Sequence, residues 1–533
     1  MKDNPRLNLP RNRRIIFTDD SVSSLVLWKY PITPEDYLGK VDYLSGTQVG
    51  IYQWCLGSVV AFFDSKVIES WGSRQADYDN PAFGFSQWLV SANFQHLIRT
   101  GNDPLRLVVE RGHQRGLQVW GSRRMNDGHH TYAGLETIRS KFYIEHPELR
   151  LPSFRPEGQV SAIYDWCKPA VLEQDLEFLT DAAERYDLDG IDLDFSRGGL
   201  DFSSGDTKYK QEVGGGHVRK IRKMLDRVGK RKGKYLGLSA QFYCYDPLNP
   251  ATQDRTAWKG NIQSYHDNGA DIRSWAREGL IDILVGQCRS ASLHELEIGD
   301  WAKAVEGTDC LLMVGPGKPS RRKFSGQGQN WTTVEEHRAI AHRLYEQGAD
   351  GIAFYDYVHH GPFDLTPFRE LGDPGAIRFK TKSHYHQLDL PRDIGNMSTG
   401  GSAQLDFDVP DDIPRAQTEG HRVSARLRLN VTNINVPEDV RCFLNGTEVA
   451  LNGEADLHLP FMGQETHPKD TARSHLEAFP DVGLIRKGKN QIRVETLARY
   501  PNLKVPCELY KLELRIAYDE EMTYGNVVES YNR

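Results

Sequence analysis

Short apolar runs alternate with amphipathic stretches along most of the chain, and the alternation repeats eight times. Arg14–Asp20, Thr47–Cys55, Gly116–Gly121, the stretch around Ile191–Phe195, Tyr235–Phe242, Ile281–Gly286, Cys310–Gly315 and Gly351–Tyr357 read as strands. Runs of this length between turn-forming residues suit strands buried on both faces. Helix patterns lie between them. Thr33 caps a helix with Pro34 at its first position, and Pro104–Glu110 reads as another. Leu172, Leu176, Leu179 and Ala183 share one helix face, as do Val218, Ile221, Leu225 and Val228. Asp271–Glu278 is a short helix, and a capping box from Thr332 to Glu335 opens one that ends at Gly348. The aromatic-rich excursion Phe62–Trp88 predicts a loop or lid.

Eight strands alternating with helices predict an α/β fold with a parallel sheet, and eight is the number that closes a (β/α)₈ TIM barrel, here over residues 10–388. An open doubly wound sheet with a nucleotide site needs a glycine-rich turn after the first strand, and this chain has none there. Residues 389–402, which include Asn396–Ser402, read as a linker. Beyond it Val423, Ala425, Leu427, Leu429 and Val431 alternate with polar residues, and Asn445-Gly446 sits between two apolar runs like a hairpin turn. This pattern predicts an antiparallel β-sandwich accessory domain over residues 403–533.

The fourth strand changes the picture. In Ile191–Ser196, the apolar Ile191, Leu193 and Phe195 alternate with Asp192, Asp194 and Ser196, so two carboxylates face the side opposite the apolar groups. Burying ionised groups is costly, and a central strand that carries two inward acids implies a use for them. Barrel active sites sit at the carboxyl ends of the strands, which makes a shortlist. Strand two ends with Tyr52 and Trp54; strand three leads to Arg124, Asn126, Asp127, His129 and His130. Strand four ends with Asp192, Asp194 and Arg197, strand five with Gln241, Tyr243 and Asp246, strand six with Gln287, and strand eight with Tyr355, Asp356, His359 and His360. Aromatic faces for sugar rings, polar forks for hydroxyls and a carboxyl pair for an oxocarbenium-like transition state suit carbohydrate.

Asp194, last of the inward acids, is the first choice for a catalytic carboxylate. Asp192 lies about 6–7 Å deeper along the strand, where like charge raises a neighbour's pKa and an arginine such as Arg124 or Arg197 is an alternative partner. The second carboxyl group is open among Asp246, Asp127 and Asp356, although Asp127 and Asp246 also suit turns. Trp54, Arg124, Asn126, His129, Arg197, Tyr243, Gln287 and Tyr355 are the expected substrate contacts. The two adjacent-histidine pairs lack the one-face spacing of a zinc helix, so neither a metal nor another cofactor is expected.

Composition narrows the partners. The chain has 533 residues, 26% of them charged and 39% hydrophobic, and a formal charge of −7. That balance argues against nucleic acid, which needs a concentrated positive surface. No apolar stretch is long enough to span a bilayer, so no membrane partner is expected. The polar Met1–Arg6 start has no signal region, an expectation of a cytoplasmic chain unless a signal has been removed. The seven scattered cysteines read as free thiols.

Gly46–Val49, Arg124–Asp127, Tyr186–Arg197 and Ala270–Asp282, taken as an ordered set over most of the barrel, resemble the glycoside-hydrolase-like barrel proteins of environmental bacteria. The resemblance implies a barrel fold, a sugar-polymer substrate and an acid at Asp194. Asp189–Ser196 is also similar to the strand-four signature of family-18 chitinases, in which a glutamate two residues past the last aspartate is the acid. Ser196 stands in that place, and a hydroxyl is no useful proton donor at neutral pH; a hydrolase built this way takes its acid from another strand.

These readings favour a glycoside hydrolase acting on a polysaccharide or oligosaccharide. A glycan-binding barrel without chemistry and a polysaccharide lyase with a tyrosine or histidine base are the alternatives.

Overall fold

The computed structural model describes residues 1–22, 25, 29–74, 84–131, 135–154, 160–196, 199–245, 262–288, 296–316, 333–355, 365–454 and 473–520. These fall into two units: one holds the barrel strands through residue 373, the other residues from 374 onward together with the helix Val334–Glu346.

In the first unit the strands in chain order are β1 (Ile15–Asp19), β2 (Val49–Gly57), β3 (Gln118–Arg124), β4 (Arg150–Phe154), β5 (Val160–Tyr164), β6 (Gly190–Asp194), β7 (Gly237–Tyr245), β8 (Ile283–Cys288), β9 (Leu311–Val314) and β10 (Gly351–Tyr355). All but β4 and β5 form a closed barrel, in the circular order β1, β2, β3, β6, β7, β8, β9, β10. Every barrel pairing is parallel. Each barrel strand lies where an apolar run predicts one. β4 and β5 pair as an antiparallel hairpin between β3 and β6, an insertion that the apolar pattern does not announce.

The barrel interior is layered. Its floor is apolar: Ile16, Ile51, Trp120, Ile283, Val285, Leu311, Met313 and Ala353 cluster with Leu7 of the N-terminal segment. A Cβ at Gly190 or Gly237 would stand 2.6 or 2.3 Å from the Trp120 ring, so these two strand-opening glycines make room for the indole. The segment before β1 is tied beneath the floor by Arg6–Asp282 at 2.8 Å and by the Gln118 amide, which donates to the Leu7 carbonyl at 2.7 Å. Residues 1–9 therefore pack as part of this unit, ahead of the expected start at residue 10.

Two helices depart from expectation in an informative way. Helix Pro169–Arg185 buries Val171, Asp175, Phe178, Leu179, Ala182 and Ala183, so the stripe is turned from the one drawn through Leu172 and Leu176. Asp175 sits on the buried face because Arg123 and His217 hold it at 2.7 and 2.8 Å. The excursion after β2, expected as a loop, contains the start of helix Phe85–Arg99. The helix Pro34–Asp42 has its Thr33 cap, closed reciprocally by Asp36.

In the second unit β11 (Lys382–Asn396), β12 (Gly401–Val409), β13 (Val423–Thr432), β14 (Val440–Leu444), β15 (Thr447–Val449), β16 (Asn452–Glu454), β17 (Arg473–Ala478), β18 (Gly488–Thr496) and β19 (Pro506–Tyr518) form two antiparallel sheets. Their orders are β11-β19-β13-β17-β16 and β12-β18-β14-β15. One apolar cluster takes Leu427, Leu476 and Leu512 from the first and Val409, Leu444 and Ile492 from the second. Asn445 and Gly446, both at positive φ, turn β14 into β15 as the hairpin signal predicts. Residues 389–396, expected in a linker, instead continue β11, and 401–402 open β12. The capping box of helix Val334–Glu346 joins Thr333 and Glu336, one residue later than expected.

Candidate functional site

Above the apolar floor the barrel holds a buried polar layer. Thr18 Oγ1 donates to Gln53 Oε1 at 2.7 Å, and Gln53 Nε2 donates to Ser239 Oγ at 3.1 Å. Ser239 and Ser122 in turn donate to the two oxygens of Asp192, at 2.6 and 2.7 Å. All five side chains come from alternate positions on β1, β2, β3, β6 and β7, where the strand period turns them into the barrel. Burial, and then the neighbouring Asp194 charge, push Asp192 up to about 7 against the pull of the serine and glutamine hydrogen bonds. The deeper of the two inward acids is thus held near its protonation midpoint at neutral pH.

Asp194 ends β6 one inward step nearer the mouth. Its Oδ1 accepts from the Ser196 backbone N–H at 2.8 Å and from the Ser196 hydroxyl at 2.5 Å. The glutamines of β7 and β8 lead to the same place: Gln287 Nε2 donates to Gln241 Oε1 at 3.0 Å, and Gln241 Nε2 to Ser196 Oγ at 3.5 Å. Gln287, expected to touch substrate, is buried and reaches Asp194 through Gln241 and Ser196.

Across the strand, Arg124 is the register partner of Asp194, which places the two backbones about 4.8 Å apart. Its guanidinium donates to Asp127 Oδ2 at 3.0 Å and to the Tyr355 hydroxyl at 3.2 Å, which ties β3 to β10. Burial opposes its charge, but its acidic surroundings, the Asp127 and Asp20 carboxylates among them, hold Arg124 well above its ordinary value. Burial pushes the Cys55 thiol up to about 12, so it stays protonated. Asp127 Oδ1 accepts from the His129 backbone at 3.1 Å and contacts His129 Nδ1.

The expected residues therefore divide. Arg124, Asp127, His129 and Tyr355 are joined by side-chain contacts at the ends of β3 and β10; Asp192 and Asp194 lie on β6, where Asp194 is in register with Arg124, and Gln287 supports Asp194 through Gln241 and Ser196. Tyr243 stands at the same end of β7, in register with Gln287, its carbonyl accepting from the Tyr265 hydroxyl at 2.9 Å. Asn126 is buried and braces the loops, donating to Asp201 at 3.0 Å and to the Tyr164 carbonyl at 3.4 Å. Trp54 does not reach the mouth: it is fully buried, and its Nε1 donates to the Tyr37 hydroxyl of helix Pro34–Asp42 at 3.1 Å. The parity of β2 is the reason, because Gln53 takes the inward position and turns its neighbour out. Asp246, Asp356 and Arg197, with His359 and His360, lie outside the described residues.

Thr18, Gln53 and Ser239 are not among the residues that the strand-end rule selects. Their signal is a polar residue on an otherwise apolar barrel strand, the same signal that marked Asp192. Among the described residues no group of three or more His, Cys, Asp or Glu side chains is placed to hold a metal ion, and no helix is long and apolar enough to cross a membrane.

No family model matches the sequence. The chain is similar to the glycosyl hydrolase DigH of Escherichia coli (strain K12), 23% identical over 261 residues that cover 42% of this chain and 56% of the relative. DigH of Shigella flexneri gives the same figures. The chain spans about half the length of the curated relatives it matches. Among solved structures, it is similar to the PgaB (BpsB) glycoside hydrolase domain from Bordetella bronchiseptica, with 12% identity, a TM-score of 0.37 and coverage of 68% of this chain and 99% of that one.

Proposed function

We propose that this chain is a glycoside hydrolase acting on a polysaccharide or oligosaccharide at the mouth of its barrel. The observation that carries the proposal is Asp194, a buried carboxylate at the end of β6, fixed by two hydrogen bonds from Ser196 and set beside Arg124. An oriented carboxylate of this kind serves as the nucleophile toward an anomeric carbon or as the base toward an attacking water. The sequence likeness to a glycosyl hydrolase supports the same reading. Arg124, His129, Tyr243 and Tyr355, with Arg197, are the proposed contacts to sugar hydroxyls and ring faces. Asp192 lies below, where its ionisation tunes the charge felt by Asp194. In this reading the second unit, whose two sheets share one apolar cluster, is a β-sandwich accessory module.

The likeness to the environmental barrel proteins fits this proposal, whereas substrate-assisted chitinase chemistry does not. Ser196 stands in the place of the chitinase acid and is engaged with Asp194. That engagement also favours, as a second reading, a barrel that binds glycan without cleaving it. Incubation with a panel of polysaccharides and aryl glycosides, with products followed by mass, separates the two. Hydrolysis that disappears in Asp194→Asn while the melting temperature holds supports the enzyme. Near-normal turnover in that variant rules the assignment out, and calorimetric sugar binding without any product favours the binding reading.

A further inference from the structure

The proposed reaction needs a proton for the leaving oxygen, and Ser196 does not supply it. The turn that follows β3 holds a carboxylate–imidazole pair. Asp127 is fixed from one side by the buried Arg124 guanidinium at 3.0 Å, itself anchored on the Tyr355 hydroxyl at 3.2 Å. From the other side it takes the His129 backbone N–H at 3.1 Å and meets Nδ1 of the imidazole. The carboxylate is thereby locked to two barrel strands, and it locks the ring.

The His129 side chain is 42% exposed, on the side of the barrel where Asp194 ends β6. His130, the next residue, is buried against the Tyr143 ring at 4.5 Å, so the two adjacent histidines part company. A carboxylate on one imidazole nitrogen sets the ring's orientation and balances its charge while the other nitrogen exchanges a proton with the reacting group.

We propose that His129 is the proton donor to the glycosidic oxygen, with Asp127 as its positioning residue. The proposal rests on the hydrolase reading above. As the bond from the anomeric carbon to the leaving oxygen breaks, its electron pair stays on that oxygen, which takes the proton from Nε2 and departs as a neutral alcohol. The imidazolium becomes imidazole. The anomeric carbon is taken by an Asp194 oxygen, or by a water that Asp194 deprotonates. The water that completes hydrolysis returns the proton to the enzyme, so nothing besides water is consumed.

Leaving-group dependence tests this directly. His129→Gln and Asp127→Asn are compared with wild type on two glycosides of one sugar, one with an unactivated alcohol and one with 2,4-dinitrophenolate, which leaves without a proton. The expected loss in His129→Gln is about 10²–10⁴-fold on the unactivated substrate and about tenfold or less on the dinitrophenyl one. Asp127→Asn is expected to show the same split at smaller amplitude, which a merely structural role does not produce; it also carries the test if His129→Gln fails to fold. Equal losses on both substrates, or none on either, overturn the assignment of His129 and leave the hydrolase standing. A wild type that cleaves no glycoside overturns both.

Discussion

Ser196 reaches Asp194 twice, through its backbone N–H at 2.8 Å and its hydroxyl at 2.5 Å, both on Oδ1. The serine is thus a clamp on the carboxylate two residues before it. Ser196→Ala keeps the backbone bond and loses the other. Hydrogen bonds to charged groups contribute about 1.5–3 kcal/mol, so kcat is expected to fall about ten- to hundredfold with little change in melting temperature. Unchanged kcat shows that the hydroxyl does not position the carboxylate.

Asp192 makes stability depend on pH. Its folded-state pKa is raised from 3.8 to about 7, by burial first and the Asp194 charge second. The native state therefore binds this proton more tightly than the unfolded chain, so the contribution is full below about pH 4 and lost as pH rises through about 7. The difference corresponds to about 4 kcal/mol. Asp192→Asn has no such titration, so urea denaturation at pH 4 to 8 is expected to show wild type losing stability relative to the variant by about that amount. A flat difference across the window contradicts the raised value.

The Arg123–Asp175–His217 cluster is a stability element. All three side chains are buried, Arg123 also donates to the Ser58 carbonyl, and its guanidinium lies 4.7 Å from the centre of the Phe178 ring. Asp175→Ala strands a buried cation and is expected to cost about 3–5 kcal/mol by denaturant midpoint. Adding Arg123→Met is expected to recover much of that loss, because it removes the stranded charge.

Leu7 seals the floor of the barrel. Leu7→Ala empties a buried position against Trp120 and is expected to cost about 2–4 kcal/mol. Turnover per folded molecule is expected to hold, because the change lies beneath the polar layer. A loss of kcat without a loss of stability speaks against that separation.

The barrel was legible because each parallel strand, buried on both faces, appears as an apolar run between helix signals, and β6 advertised its inner face through Asp192 and Asp194. The same double burial hid the parity of β2. Tyr52, Gln53, Trp54 and Cys55 are all buried, so hydrophobicity says nothing of which pair points inward, and Trp54, expected at the mouth, packs on a helix instead. Asp175 was hidden for a related reason: a stripe drawn through leucines passes over an acid whose partners, Arg123 and His217, are distant in sequence. The Asp127–His129 contact spans two residues, yet a turn reading and a pairing reading of those letters are identical until the backbone is in place.

Trp120 and Leu7 give the barrel a blind end. A ligand that enters at the strand tips meets a polar layer and then an indole, with no passage beyond. A polymer cannot be threaded through such a cup; under the proposed function either a chain end dips in or the strand lies across the rim. Whatever enters such a cup must leave by the way it came.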